Sequence, residues 1–406
     1  MLTQAAVRYL MLFILFFALL YLRRSAQLLH PQVWDEDGTE ILPGLLDHGL
    51  KSLFFPINGY LIVVPKLISA ISLAISGLYY PLVSTVITWG FIVGVCIAIS
   101  LSPTWLKGGV LLGVATLLVP CDPEVFGVPL YSFWWASLLL FLVVLWEQDS
   151  NDIKFRICFT LLGGLSSPII FLVTPFLAVR AVVFRKRKRE LAILAAALFC
   201  CGMQALAALH TGQVTAGTIN HRNQHEILPK FIGYYLAGNY RHATSNLLWF
   251  AAGVLVAFFL MATPFILRRP QYLFLVGLWA GTVYLVGRRL DLSLIHPRLA
   301  GPRYFFLPFV LVSWFLVSFL RESRRRDLQL FAAGLLLISL LNMLPVRSRT
   351  HQDFHWAEHL SNCGKYDGYS IPISWDGQTP WLLKVSRDQC VALQRAGLFN
   401  LRSRLP

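Results

Sequence analysis

LMLFILFFALLYLRR (residues 10–24), followed closely by WDEDG (34–38), is the stretch whose reading decides the fold. It opens on an unbroken apolar run, Leu10 to Leu22. Arg8 stands before the run, as in a secretory signal. Leu22-Arg23-Arg24, however, offers no small-residue cleavage site, so the run reads as a retained first membrane helix. Beyond it Asp35, Glu36 and Asp37 stand side by side, and Gly38 then lets the backbone turn. Only 20 of the 406 residues are acidic, so three in a row mark a place where charge is wanted. Carboxylates this close raise one another's pKa, and such groups act as acids or bases or hold a metal.

The rest of the composition agrees with a membrane setting. The chain is 56% hydrophobic and only 14% charged, whereas a soluble domain carries about a quarter charged residues. Basic clusters fix the topology by the positive-inside rule. Arg185-Lys186-Arg187-Lys188-Arg189, Arg268-Arg269 and Arg321 with Arg324, Arg325 and Arg326 lie in short links between apolar runs and are placed on the cytoplasmic side. Counting from them predicts about eleven spans, at 7–22, 82–101, 107–120, 130–147, 156–166, 168–184, 190–210, 244–267, 271–287, 303–320 and 328–345. The run 59–77 holds Pro65 and Lys66 and would break the parity of the count. It reads instead as an amphipathic segment on the membrane face, inside a long first outer loop, 23–81. The stretch 155–183 is too long for one span and is broken at Ser166-Ser167-Pro168, so it reads as a hairpin. The expected fold is an all-α polytopic membrane protein over residues 1–345. A small mixed α/β cap over 346–406 follows, on the outer face with the N-terminus inside. Cys363 and Cys390 lie in that cap and can form a disulfide in an oxidising compartment.

Two groups of side chains carry candidate chemistry. The first is Asp35, Glu36 and Asp37, which can take a proton from a hydroxyl nucleophile or bind a divalent cation such as Mg or Mn. The second is basic and on the unexpected side. Arg288 and Arg289 open an outer loop that Arg298 and Arg303 close, with His296 between them and Tyr304 just after. Short outer loops are poor in Arg, so four here point to a specific use, and the guanidinium fork suits phosphate. A net charge of +15 fits both cytoplasmic loops and an anionic ligand. Asp122, Glu124 and the Trp134-Trp135 pair are further outer-face candidates for contact with a saccharide or an acceptor. His221-x-x-x-His225 has metal spacing, but no third ligand stands at an obvious distance, so no metal site is assigned.

Adjacent acids after the first span, a membrane-lying segment, many spans, a late Arg303-Tyr304 and a C-terminal cap resemble the GT-C superfamily of membrane glycosyltransferases. More narrowly, Glu36-Asp37-Gly38, the stretch 49–53 with Pro56, Gly59-Tyr60, Pro65-Lys66-Leu67 and Leu165-Ser166-Ser167-Pro168 are similar to bacterial glucosyltransferases that decorate O-antigen or other surface polysaccharides. The resemblance implies Glu36 or Asp37 as general base with Asp35 in support. It implies a phosphate site at Arg303 with Arg288, Arg289 or Arg298, and substrate contacts from Tyr304, His296, Lys66 and Tyr60. The implied donor is a polyprenyl-phosphate-linked sugar and the implied acceptor a glycan or lipid-linked saccharide. The setting would be the bacterial inner membrane with its lipid, with the site facing the periplasm. No nucleic-acid partner is expected and no cofactor is certain. Competing readings are a transporter or flippase, which would place charges at mid-membrane and show paired repeats, and a polymerase or ligase of lipid-linked saccharides.

Overall fold

The computed structural model describes residues 4–148, 152–184, 188–211, 224–238, 244–374 and 381–397. Among these the chain is mostly α-helical, with one two-stranded sheet. Six helices are long and apolar enough to cross a membrane: Gln4–Leu29, Tyr80–Leu101, Lys188–His210, Ser245–Leu267, Arg303–Glu322 and Arg326–Val346. That corrects the expectation of about eleven spans. The spans placed at 107–120, 130–147, 156–166 and 168–184 are helices of 8, 13, 12 and 15 residues, Val110–Leu117, Ser132–Val144, Ile153–Gly164 and Ile169–Val183. Each is shorter than the roughly 20 residues of a full crossing. Apolar content ran on past the points where the helices stop. Pro120, Pro123 and Pro129, for example, lack the N–H that would carry a helix through the link between the first two. A helix, Pro270–Arg289, does occupy 271–287, but it is not among the six. The hairpin break is where it was expected, with Pro168 capping the second arm. The segment lying between the first two long helices carries Val63–Ile75, 13 residues long.

Two helices form the centre. Ser132–Val144 is buried at every position but Trp134, and Arg303–Glu322 is buried continuously from Phe305 to Phe319. A helix that is apolar on all sides belongs inside a bundle. Trp135, singled out with Trp134 as a candidate saccharide contact, is instead fully buried between Phe126 and Phe306, at ring distances of 5.3 and 4.9 Å. At one end of the bundle Glu190 is gripped by two buried arginines. Arg156 donates to both of its oxygens at 2.8 and 2.9 Å, and Arg180 does the same at 3.0 and 3.1 Å. The triad ties three successive helices together, and Arg180 also donates to the Val144 carbonyl at 2.9 Å.

The cap is the small mixed unit expected. Helix Trp356–Cys363 leads to antiparallel strands Gly368–Ile373 and Trp381–Ser386, then to helix Arg387–Arg395, which starts with a Ser386/Gln389 capping box. Cys363 and Cys390 are joined as a disulfide. The cap does not close a core of its own. Its buried Ile371, Ile373, Leu383 and Leu393 pack with Val33, Leu42 and Tyr80 from the first loop. Gly38 lies against it so closely that a Cβ there would meet Ile373 Cδ1 at 2.6 Å. So small a unit depends on its covalent link. Cys363→Ser is expected to destabilise the cap by about 2–4 kcal/mol. The check is protease sensitivity of residues 346–397 in detergent with and without reductant. Equal resistance in the two conditions would contradict the expectation.

Candidate functional site

The acidic stretch is fixed from both ends of the chain. The first helix kinks at Arg24 (φ −145°), which turns Arg23 and Arg24 into the interior. Arg24 lies 4.7 Å from the Trp34 ring, and Arg349 of the C-terminal segment lies 5.4 Å from the same ring. Trp34 Nε1 donates to Gln27 at 2.6 Å. Ser374 then pairs with the chain beside Trp34: its N–H donates to Val33 O at 2.8 Å and its carbonyl accepts from Asp35 N at 3.2 Å. These contacts hold Asp35 at φ 31°, a left-handed conformation that Asp tolerates better than most residues. From Asp37 to Ile41 the backbone makes a π-helical turn, a form often met at functional sites.

The three carboxylates consequently face different ways. Asp37 is buried, and its Oδ2 accepts from Leu130 N at 3.2 Å. Burial, with Glu36 and Asp35 nearby, holds it well above the usual carboxylate range. Asp35 is also buried, and its Oδ2 meets the Tyr131 hydroxyl at 3.1 Å. Glu36 alone of the three lines a cavity of about 480 Å³.

That cavity gathers residues from distant parts of the sequence. Tyr60 is presented by a two-residue turn, Asn58-Gly59, with positive φ at both positions and hydrogen bonds of 3.0 and 3.2 Å between Ile57 and Tyr60. Asn-Gly is the usual sequence for such a turn. Arg289 lies 5.8 Å from the Tyr60 ring. Arg303 enters from the start of its helix, held by Glu124: its backbone N–H donates to Oε2 at 3.0 Å and its guanidinium pairs with Oε1. Tyr304, Trp134 and Phe133 form an aromatic wall, with Trp134 6.0 Å from Tyr304. The lining also includes apolar Phe171, Leu285, Val286, Leu307 and Pro308. The site thus brings a carboxylate and two guanidiniums together with aromatic and apolar side chains.

Of the residues singled out in the sequence, Glu36, Tyr60, Arg289, Arg303 and Tyr304 meet in this cavity, with Trp134, Ser167 and Pro168. Others do not line it. Lys66 is buried and donates to the carbonyls of Ser52 and Phe55, stapling the loop before its helix. Arg288 is exposed and donates to Tyr284 at 3.2 Å. The His296 ring lies tilted against Tyr234, 4.8 Å between centroids, and accepts from Arg298 N at 3.1 Å. Burial, with Lys230 and Arg298 nearby, pushes His296 down to about 4, so it is neutral at ordinary pH. Asp122 pairs with Arg349 at 2.8 Å. His221 and residues 185–187 of the basic cluster lie outside the described residues. Among the described residues no group of three or more His, Cys, Asp or Glu could hold a metal ion, so the divalent cation has no assigned place. Tyr131 and Asn58 had no motif to announce them. The signal for Tyr131 was its position between two stretches that did stand out, Asp122-Pro123-Glu124 and Trp134-Trp135.

No family model, no curated protein and no solved structure matches the chain.

Proposed function

We propose that this protein is a membrane glycosyltransferase of GT-C type that moves a sugar, a hexose such as glucose, from a polyprenyl-phosphate donor to a glycan or lipid-linked acceptor. The observation that carries the reading is one cavity lined by Glu36, Arg289 and Arg303 together with aromatic and apolar side chains. A donor of this class has a phosphate, a sugar and a hydrocarbon tail, and the cavity offers guanidiniums, aromatic rings and an apolar wall for them. In the reaction Glu36 takes the proton of an acceptor hydroxyl as its oxygen attacks the anomeric carbon. The bond from that carbon to the phosphate oxygen breaks, and the electron pair leaves on polyprenyl phosphate. Arg303 and Arg289 stabilise the charge that develops there. Attack opposite the leaving group inverts the anomeric centre. The proposed setting is the bacterial inner membrane with the cavity on the periplasmic side.

The test is transfer of radiolabelled glucose from polyprenyl-phosphate glucose in membranes at matched expression. Arg303→Ala is expected to lower kcat/KM by about 10- to 100-fold, the worth of one or two hydrogen bonds to a charged group. Arg303→Lys should fall between, since an ammonium keeps the charge but not the fork. Full transfer by Arg303→Ala would remove the phosphate assignment. Absence of transfer by the wild-type protein with any polyprenyl-phosphate hexose would remove the reading itself.

A further inference from the structure

The Tyr131 hydroxyl sits in a contact that ionised carboxylates alone cannot balance. It is 3.1 Å from Asp35 Oδ2 and 3.2 Å from Glu124 Oε1. A phenol has one proton and donates to one acceptor. Burial, followed by the charge of Glu124, holds the Tyr131 phenol well above its usual range, so it keeps that proton. The other oxygen pair is bonded only if its carboxyl carries a proton as well. Glu124 is accounted for as an anion by the backbone and side chain of Arg303. Asp35 has no ion-pair partner among the described residues, is 7% exposed, and leaves Oδ1 buried without a hydrogen bond. An unpaired buried carboxylate is costly, and protonation relieves that cost.

We propose that Asp35 is a proton-holding positioning residue whose state sets, through Tyr131, how firmly Glu124 retains Arg303. With the proton in place, Asp35 donates to Tyr131 and Tyr131 donates to Glu124. Glu124 then shares its charge between a phenol and a guanidinium, and Arg303 is freer to turn to a phosphate. Once Asp35 has lost the proton, the phenol donates to Asp35 instead. Glu124 is left to Arg303 alone, and the pair tightens. The groups facing Asp35 are Glu36 and Asp37 on its own segment, Tyr131 and Glu124 from the 123–131 link, and Arg303 from its helix. Arg24 acts on Glu124 and Tyr131 from the first helix. Burial, then Glu36, push Asp35 up, the Tyr131 bond and Arg303 pull it down, and Glu124 adds to the rise, leaving it at about 6. The switch therefore falls in a range that cells and compartments reach. The effect on the donor rests on the transferase reading, and the proton itself does not.

Two measurements separate these. Infrared difference spectra of wild-type protein against Asp35→Asn should show a carboxylic C=O band at pH 5 that shifts in D2O and is gone at pH 8. No such band at pH 5 would overturn the proposal whether or not the protein transfers sugar. In the transfer assay the wild-type KM for polyprenyl-phosphate glucose should rise about three- to tenfold as pH climbs from 5 to 7.5, the worth of one hydrogen bond. Asp35→Asn should keep kcat and show a low, pH-independent KM, because an amide N–H donates permanently and Asn accepts the positive φ. Tyr131→Phe should show a high KM with no such pH step. A collapse of kcat in Asp35→Asn would make Asp35 the base and overturn the positioning role. An unchanged pH step in Asp35→Asn would overturn it too.

Discussion

Glu36→Gln is expected to lower sugar transfer by about 10²- to 10⁴-fold, the usual contribution of a positioned general base. Glutamine has the shape of the acid and can still hydrogen-bond an acceptor hydroxyl, but it takes no proton at neutral pH. The loss should therefore appear in kcat, with donor KM and protein yield close to wild type. Among the three adjacent carboxylates the effect is expected to be specific. Asp37 accepts from Leu130 behind the cavity and Asp35 is engaged with Tyr131, so only Glu36 is placed to meet a substrate. Glu36→Asp, one methylene shorter, should recover part of the rate. Matched assays of Glu36→Gln and Asp35→Asn give a direct comparison. If the Glu36 variant turned over normally, proton removal would have to be assigned to another group.

The second large effect concerns stability. Glu190→Ala is expected to destabilise the protein by about 3–5 kcal/mol, because it leaves buried charge without its partner. The side chains of Arg156, Arg180 and Glu190 are 4%, 0% and 2% exposed, so water cannot take over the lost bonds. Two guanidiniums would then face each other with only the Val144 carbonyl and the ring faces of Trp105 and Phe184, at 4.7 and 5.5 Å, to offset them. Removing one arginine instead leaves a one-to-one pair, so Arg156→Met should cost less. Thermal unfolding in detergent ranks the variants, and a Glu190→Ala protein as stable as wild type would show that the triad contributes nothing. Arg180 and the cavity-lining Ile169 lie on one helix roughly 16 Å apart, at 1.5 Å per residue. Molecules of Glu190→Ala that do fold should consequently keep their specific activity.

Much of the site could be read from the chain because its parts are chemically out of place. Three acids in a row and four arginines clustered around one link between apolar runs stand out from the pattern around them, and Glu36, Arg289 and Arg303 do meet in one cavity. What sequence cannot supply is side-chain direction. Lys66 stands in the right neighbourhood, yet its ammonium turns to two loop carbonyls. Arg288 and Arg289 are neighbours, yet a helix sends them to different surroundings, Tyr284 and Tyr60. Tyr131 was invisible because its importance comes from what it joins, two acids and an arginine from three separate segments. The span count failed for a related reason. Leu111 to Leu118 and Phe133 to Trp146 are apolar enough for lipid, but part of that character serves packing inside the protein, where Leu138 to Leu145 are buried on all sides. Hydropathy does not distinguish a lipid neighbour from a protein neighbour.

The pairing of Ser374 with the chain at Trp34 has a consequence for biosynthesis. The acidic stretch is made long before Ser374, whose backbone groups pair beside Asp35 and help to hold its left-handed pose. Until then the stretch has its ties to Gln27, Leu130 and Tyr131 but lacks that backbone pairing. On the proposed reading, synthesis of the segment around Ser374 is the event that completes the setting of Glu36.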